Sequence, residues 1–354
     1  MPIMVRSQRK PDQPWIEYET RTLDDLPIDQ LDVAPVPLSA YGGRLDRKVE
    51  ATGFFRATTV DGCWWLVDPD GCLYLHVGVV AVAPGKSETP QAALRERFGT
   101  PDKWAADTAE LLQAHGFNGT GAWSDVDRIR AAPTNLAYTT TLNMLSEFGK
   151  SKGLVRQLPG HVGYPNDCLP VFHPDFPAFC DRLATSRVRE SADDPRLLGH
   201  FSDNEMPLPV LEKFLALPPD DPDVGPGYHA ARAWLDQRKG SGANSDASRA
   251  ACSGEITDED RDAWVEHVIG RYLEITTSAI RKYDPNHLCL GPRFHGRDKG
   301  SAGTWRAAGR YLDVIAMNYY SAWGPEPEVL RQWHEWSGKP CMITEWYVKG
   351  ADAE

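Results

Sequence analysis

The stretch LLGHFSDNE, residues 197–205, decides the fold. Its opening is mainly apolar without alternation, as in a strand covered on both faces of a parallel sheet, and it closes on three polar residues. The same form recurs outward from it. GFNGTGAW (116–123) and LAYTTTLNM (136–144) precede it, and HLCLGPRF (287–294), LDVIAMNYY (312–320) and KPCMITEWY (339–347) follow. Between these runs the text turns helical. Residues 101–115 place Trp104, Leu111 and Leu112 on one face, and 174–190 is led by Pro174 and Asp175. A long helix starts at Thr257, with Asp260 completing a capping box and Trp264, Val268, Tyr272 and Ile275 sharing a face. Strands alternating with helices predict an α/β fold on a parallel sheet.

Further upstream, FFRATTVDG and CWWLVDPDG carry the turn dipeptides Asp61-Gly62 and Asp70-Gly71, which predict a β-hairpin. The next run, CLYLHVGVVAV (72–82), reads as a strand leaving that hairpin for the parallel sheet. Seven strand candidates result, and they predict a (β/α)8 TIM barrel short of its last βα unit. Only nine residues follow Glu345, whereas a strand and its helix need about 25–30. The expected organisation is an irregular N-terminal arm over 1–52 and a catalytic barrel over 53–354, with the hairpin as its extension. Residues 145–170, rich in Gly and Pro, are expected as a loop. Residues 206–256 are expected as a helix plus an exposed insertion that walls the cleft.

Composition narrows the partners. The chain has 354 residues, 41% apolar and 25% charged, with 38 Lys and Arg against 50 Asp and Glu. A net charge of −12 opposes binding to nucleic acid. No apolar run approaches the roughly 18 residues of a membrane span. The N-terminus MPIMVRSQRKPDQPW has no apolar stretch behind its charges, so no signal peptide is visible. That implies a cytoplasmic protein as written, or a secreted one if an upstream segment was trimmed. Seven cysteines without a CxxC pair argue against a disulfide framework or zinc cage, and no histidine spacing makes a ligand set. No metal and no cofactor is expected. The 12 Trp and 12 Tyr suit stacking on sugar rings.

Catalytic groups of such barrels lie at the C-terminal strand ends. Those ends carry Trp123, the trio Asp203, Asn204 and Glu205, then Arg293 and His295, then Asn318, Tyr319 and Tyr320, and finally Glu345 and Trp346. Two glutamates each close an apolar strand, and the fourth and seventh strands face each other across a barrel mouth. Retaining glycoside hydrolysis asks for two carboxyl groups about 5–5.5 Å apart. Of the two tyrosines, which alternate across the strand, Tyr320 is chosen as the one facing the site. Asp203 is read either as a site residue or as a salt-bridge partner of Arg293.

With these residues in view, a resemblance can be named. Asn-Glu closing the fourth strand and a Glu closing the seventh resemble the clan A retaining glycosidases. The strings DGCWWLVDPDG, LLGHFSDNE, DPNHLCLGPRF, DVIAMNYY and ITEWYVKG resemble glycoside hydrolase family 50, whose characterised members are β-agarases. The resemblance implies Glu205 as general acid/base and Glu345 as nucleophile, with Asn204 on the sugar 2-hydroxyl. Trp123, Trp323 and Trp346 would be stacking platforms, and Arg293, His295 and Tyr320 further substrate-site residues. It also implies a poly- or oligosaccharide partner and cleavage of β-galactosidic linkages in agarose or agaro-oligosaccharides. Other clan A activities, such as β-galactosidase or β-glucanase, stay open, as does a carbohydrate-binding protein without turnover.

Overall fold

The structure, a computed structural model, describes residues 3–8, 12–20, 36–158, 161–239, 255–320 and 324–346. Strands β1 (Ile3–Ser7) and β2 (Ile16–Thr20) form an antiparallel pair. A second, four-stranded antiparallel sheet joins β3 (Arg44–Lys48), β4 (Arg56–Val60), β5 (Cys63–Val67) and β6 (Cys72–Tyr74) in the order β3-β6-β5-β4. The β4–β5 hairpin turns at Asp61-Gly62, both with positive φ, as the dipeptide predicts. The N-terminal 52 residues therefore contain strands where an irregular arm was expected. IEYET and RLDRK are too short and too charged to show a sustained apolar period, and cross-strand pairing rather than burial holds them.

After β6 the chain changes sheets. β7 (Gly78–Val79) pairs in parallel with β8 (Gly119–Thr120), and a parallel bridge Gly119–Ala137 leads on to β9 (Tyr138–Thr141). The antiparallel pair β10 (Arg156–Gln157) and β11 (Val162–Gly163) stands aside as a small hairpin. β9 then pairs with β12 (Leu197–Asn204), and β12 with β13 (Leu288–Arg293). A parallel bridge Phe294–Met317 connects to β14 (Ile315–Asn318), which pairs with β15 (Cys341–Glu345). Seven parallel strands thus follow one another in chain order, β7-β8-β9-β12-β13-β14-β15. Among the described residues no pairing joins β15 back to β7. Gly199 is needed where β12 meets β13, because a Cβ there would lie 2.4 Å from the Leu288 carbonyl oxygen.

Among the described residues the buried apolar side chains fall into four clusters, two of which take in β13 and β14. One is small and includes Phe55, Leu198, Phe201, Leu290, Val314 and Ala316. The larger lies between strands and helices. It takes in Trp264 and Tyr272 from the helix Asp258–Tyr283, and a stacked Trp305–Trp333 pair with centroids 4.4 Å apart. The capping box at Thr257 and Asp260 forms as the sequence predicts. Two expectations are corrected. In the helix Pro101–Ala114 Trp104 and Leu112 pack against the core beside buried Ala105 and Ala109, while Leu111, expected on the same face, is 56% exposed. Residues 145–151, expected as loop, belong to the helix Met144–Ser151, whose first turn is capped from outside by Asp203. The low-complexity insertion after Lys239 lies outside the described residues, preceded by helices Leu211–Leu215 and Gly225–Arg238.

Candidate active site

Backbone strain marks one rim of the parallel array. Ala81, Trp123, Asn143 and Glu205 all have positive φ, between 49° and 65°. Each follows the C-terminal end of a strand, namely β7, β8, β9 and β12 in turn. Such conformations cost a non-glycine residue on the order of 1–3 kcal/mol and concentrate where geometry serves chemistry.

At this rim the two glutamates meet through Asn318, at the end of β14. Its Nδ2 donates to Glu205 Oε1 at 2.9 Å and to Glu345 Oε2 at 3.4 Å. Thr344 Oγ1 donates to Asn318 Oδ1 at 3.0 Å, which fixes which end of the amide faces the carboxylates. Those two oxygens can be separated by no more than the sum of their distances to the shared nitrogen, about 6 Å.

Glu345 is the more heavily held of the pair. Arg293, fully buried at the end of β13, donates through Nη2 to Glu345 Oε2 and to the Thr344 carbonyl. Its Nη1 donates to Asn204 Oδ1 at 3.0 Å, and its guanidinium packs against the rings of Trp123 and Phe201. Burial lowers the Arg293 pKa, against the opposing pull of Glu345. The Tyr320 hydroxyl donates to Glu345 Oε1, and burial followed by this carboxylate pushes the phenol pKa up. Tyr319 instead points into the core against Trp333.

The remaining candidates fall around this centre. Trp123 and Trp346 are each 46% exposed at the rim. His295 stands half-buried after β13, its pKa lowered by burial, raised by nearby Glu205 and lowered again by His161. Trp323 lies outside the described residues. Asp203 does not pair with Arg293. It turns away to accept from the amides of Leu145 and Ser146 and from the Tyr272 hydroxyl, and its complete burial pushes its pKa up to about 7. The carboxylates open on different spaces, Glu345 on a 540 Å³ cavity with Trp346 and His76, and Glu205 on a 310 Å³ cavity with His161 and His295.

Sequence reasoning assigned no role to Asn318 or His161. The first was visible only as a polar residue closing an apolar strand, and the second carries no local signal. It also missed the buried cluster His200, Asp284 and His287, whose ligand-type atoms lie within 4.8 Å of one another. Their partners are hydrogen bonds: Asp284 Oδ2 takes one from each histidine, at 2.8 and 2.7 Å.

No family model matches the chain. It is 22% identical over 413 residues to "Beta-agarase B" of Vibrio sp. (strain JT0107), covering 89% of this chain and 41% of that protein. The chain thus spans about two fifths of the length of the curated relative it matches. The solved structure of BpGH50 superposes with a TM-score of 0.75 at 26% identity, over 98% of this chain and 75% of that one. The agarase AgWH50C gives 0.66 at 20% identity over 88% and 52%, and an exo-beta-agarase 0.66 at 19% over 92% and 58%. At these last two identities the likeness is one of fold. By sequence and by fold the chain is similar to a β-agarase and to BpGH50.

Proposed function

We infer that the chain is a glycoside hydrolase that cleaves β-galactosidic linkages in agarose or agaro-oligosaccharides with retention at the anomeric carbon. The observation that carries this reading is the single Asn318 amide shared by Glu205 and Glu345. A donor shared by one oxygen of each carboxyl group supports the close spacing that a double displacement needs. In the first step a Glu345 oxygen forms the bond to C1 while the bond from C1 to the leaving oxygen breaks. The proton of Glu205 goes to that oxygen. In the second step Glu205 takes a proton from water, whose oxygen displaces Glu345 from C1.

The surroundings suit these roles. Arg293 and Tyr320 donate to Glu345 and favour the ionised nucleophile. Arg293 also orients Asn204, placed here on the 2-hydroxyl, and the exposed rings of Trp123 and Trp346 offer faces for sugar stacking. The consecutive order of seven parallel strands supports a finer reading of the fold as a (β/α)8 barrel, with residues 53–354 as the catalytic unit. The likeness to Beta-agarase B and to BpGH50 supports the substrate class.

The test is hydrolysis of agarose, its oligosaccharides and aryl β-galactosides, with the first-formed anomer followed by proton NMR. The β-anomer should appear first, and Glu345→Gln should lower the rate by at least about 10³-fold. Equal activity in the variant, or the α-anomer first, would end this reading.

A further inference from the structure

Two of the four strained rim residues are tied to one carboxylate. Asp203 lies near the end of β12, two positions before Glu205, and is buried. Its Oδ2 accepts from the Leu145 amide at 2.8 Å and from the Tyr272 hydroxyl at 2.7 Å, and its Oδ1 from the Ser146 amide at 3.2 Å. Leu145 and Ser146 open the helix Met144–Ser151, directly after Asn143 at φ 57°. Asn204 and then Glu205, at φ 49°, follow Asp203. Backbone pairing between β9 and β12 stops at Thr141 and Phe201, with one further bond from the Leu142 amide to the Phe201 carbonyl. Beyond that point the Asp203 carboxylate joins the two segments.

Among the described residues its donors are two amides and a phenol, all neutral. Burial pushes the Asp203 pKa up to about 7, while the Leu145 amide, the Tyr272 hydroxyl and the Ser146 amide each favour the charged form. A buried carboxyl group is a costly way to cap one short helix, where a hydroxyl would serve. What it adds is a second accepting oxygen, so that donors from two helices, Met144–Ser151 and Asp258–Tyr283, converge on one rigid group. Left-handed backbone at a non-glycine residue persists only where its surroundings over-determine it. Glu205 is held from β13 through its amide, which donates to the Arg293 carbonyl at 3.1 Å, and from β9 through Asp203.

We propose that Asp203 is a positioning residue: by clamping the ends of β9 and β12 to each other, it sets the placement of the Glu205 carboxyl against the leaving oxygen. The proposal rests on Glu205 being the acid of the proposed function, and it adds a residue that acts through Glu205. Misplacing an acid is felt in proportion to how much the leaving oxygen needs a proton.

The experiment uses two substrates with one glycone, an oligosaccharide prepared from agarose and the dinitrophenyl β-glycoside of the same sugar, whose phenolate leaves without a proton. Asp203→Asn keeps the shape of the side chain and turns one accepting oxygen into a donor that faces a donor. It should lower kcat/KM for the oligosaccharide about 10²-fold, the cost of misplacing a reacting group by about 1 Å. On the dinitrophenyl glycoside kcat/KM should hold while kcat and KM fall together, because the second step still draws on Glu205 as base. Tyr272→Phe removes one donor to the clamp and should show the same pattern, with a loss of at most about tenfold on the oligosaccharide. That variant decides the matter if Asp203→Asn does not fold. An equal fall in kcat/KM on both substrates, or no change on either, overturns the role of Asp203 and leaves the glycosidase reading standing. If the wild-type chain cleaves neither substrate, that reading fails and the proposal falls with it.

Discussion

Two polar networks meet at strand β12, and they are built on opposite rules. One runs through Thr140, His200, Asp284 and His287 to the Asp194 carbonyl, with each imidazole nitrogen bonded at 2.6–2.9 Å. Asp284 Oδ1 takes the amides of Asn286 and His287 as well, and the carboxylate and both rings are excluded from solvent. The other network joins Arg293, Glu345, Asn318 and Glu205, borders two cavities, and leaves Arg293 Nε and nearby His295 Nδ1 unpaired. Glu205 itself sits at φ 49°. A closed network stabilises the fold, whereas an open, strained one keeps bonding capacity in reserve for a ligand. The comparison teaches that burial and charge alone do not mark a site.

If this contrast is right, the two networks should fail differently. Arg293→Met removes the cation beside Glu345 and should lower kcat/KM by at least about 10³-fold. The accompanying loss of stability should be small, because a quarter of the Glu345 side chain remains exposed to water. Steady-state kinetics and thermal melts check both halves, and a folded, fully active Arg293→Met would erase the contrast. Asp284→Ala should do the reverse. Breaking a buried ionic network costs about 3–5 kcal/mol, read by urea unfolding, while the rate per folded molecule holds. A large kinetic loss in folded Asp284→Ala would place that cluster in the catalytic machinery instead.

A smaller effect sharpens the role of the shared amide. Asn318→Ala should lower kcat by about 10²-fold with little change in KM, since the donor it removes acts on both carboxylates at once. A rise in KM with kcat intact would make Asn318 a substrate anchor. The least effect is on stability against pH. Burial lowers the His76 pKa to about 4, whereas an unfolded histidine titrates near 6.5. As pH falls, the unfolded chain therefore binds its proton first. Stability should be level above about pH 6.5 and decline from there toward about pH 4. His200, also lowered by burial, acts in the same direction. Asp284, held low by its two histidines despite burial, adds its own loss only below the ordinary carboxylate range. Urea midpoints from pH 7 to 4.5 check this, and His76→Asn should flatten the slope.

Much of the site was legible along the chain because strand ends are local features. An apolar run that stops on Asn-Glu or Thr-Glu says which residues reach the rim, and period two separates Tyr320, bonded to Glu345, from Tyr319, buried in the core. The helix at 144–151 was not legible, because part of its first turn is satisfied by Asp203, nearly sixty positions away. For the same reason Asp203 was read either as a site residue or as a partner of Arg293, a partner it does not take.

Local pattern, then, was enough to establish an α/β chain with an acidic residue at each of two strand ends, since burial on both faces writes itself into consecutive residues. That one amide spans both carboxylates, that His161 faces His295, and that His200, Asp284 and His287 close on one another came from tertiary packing alone. The Asn318–Glu205 bond joins positions 113 residues apart. Hydrogen-bond partnership at that range depends on register and strand order, which no window of sequence contains.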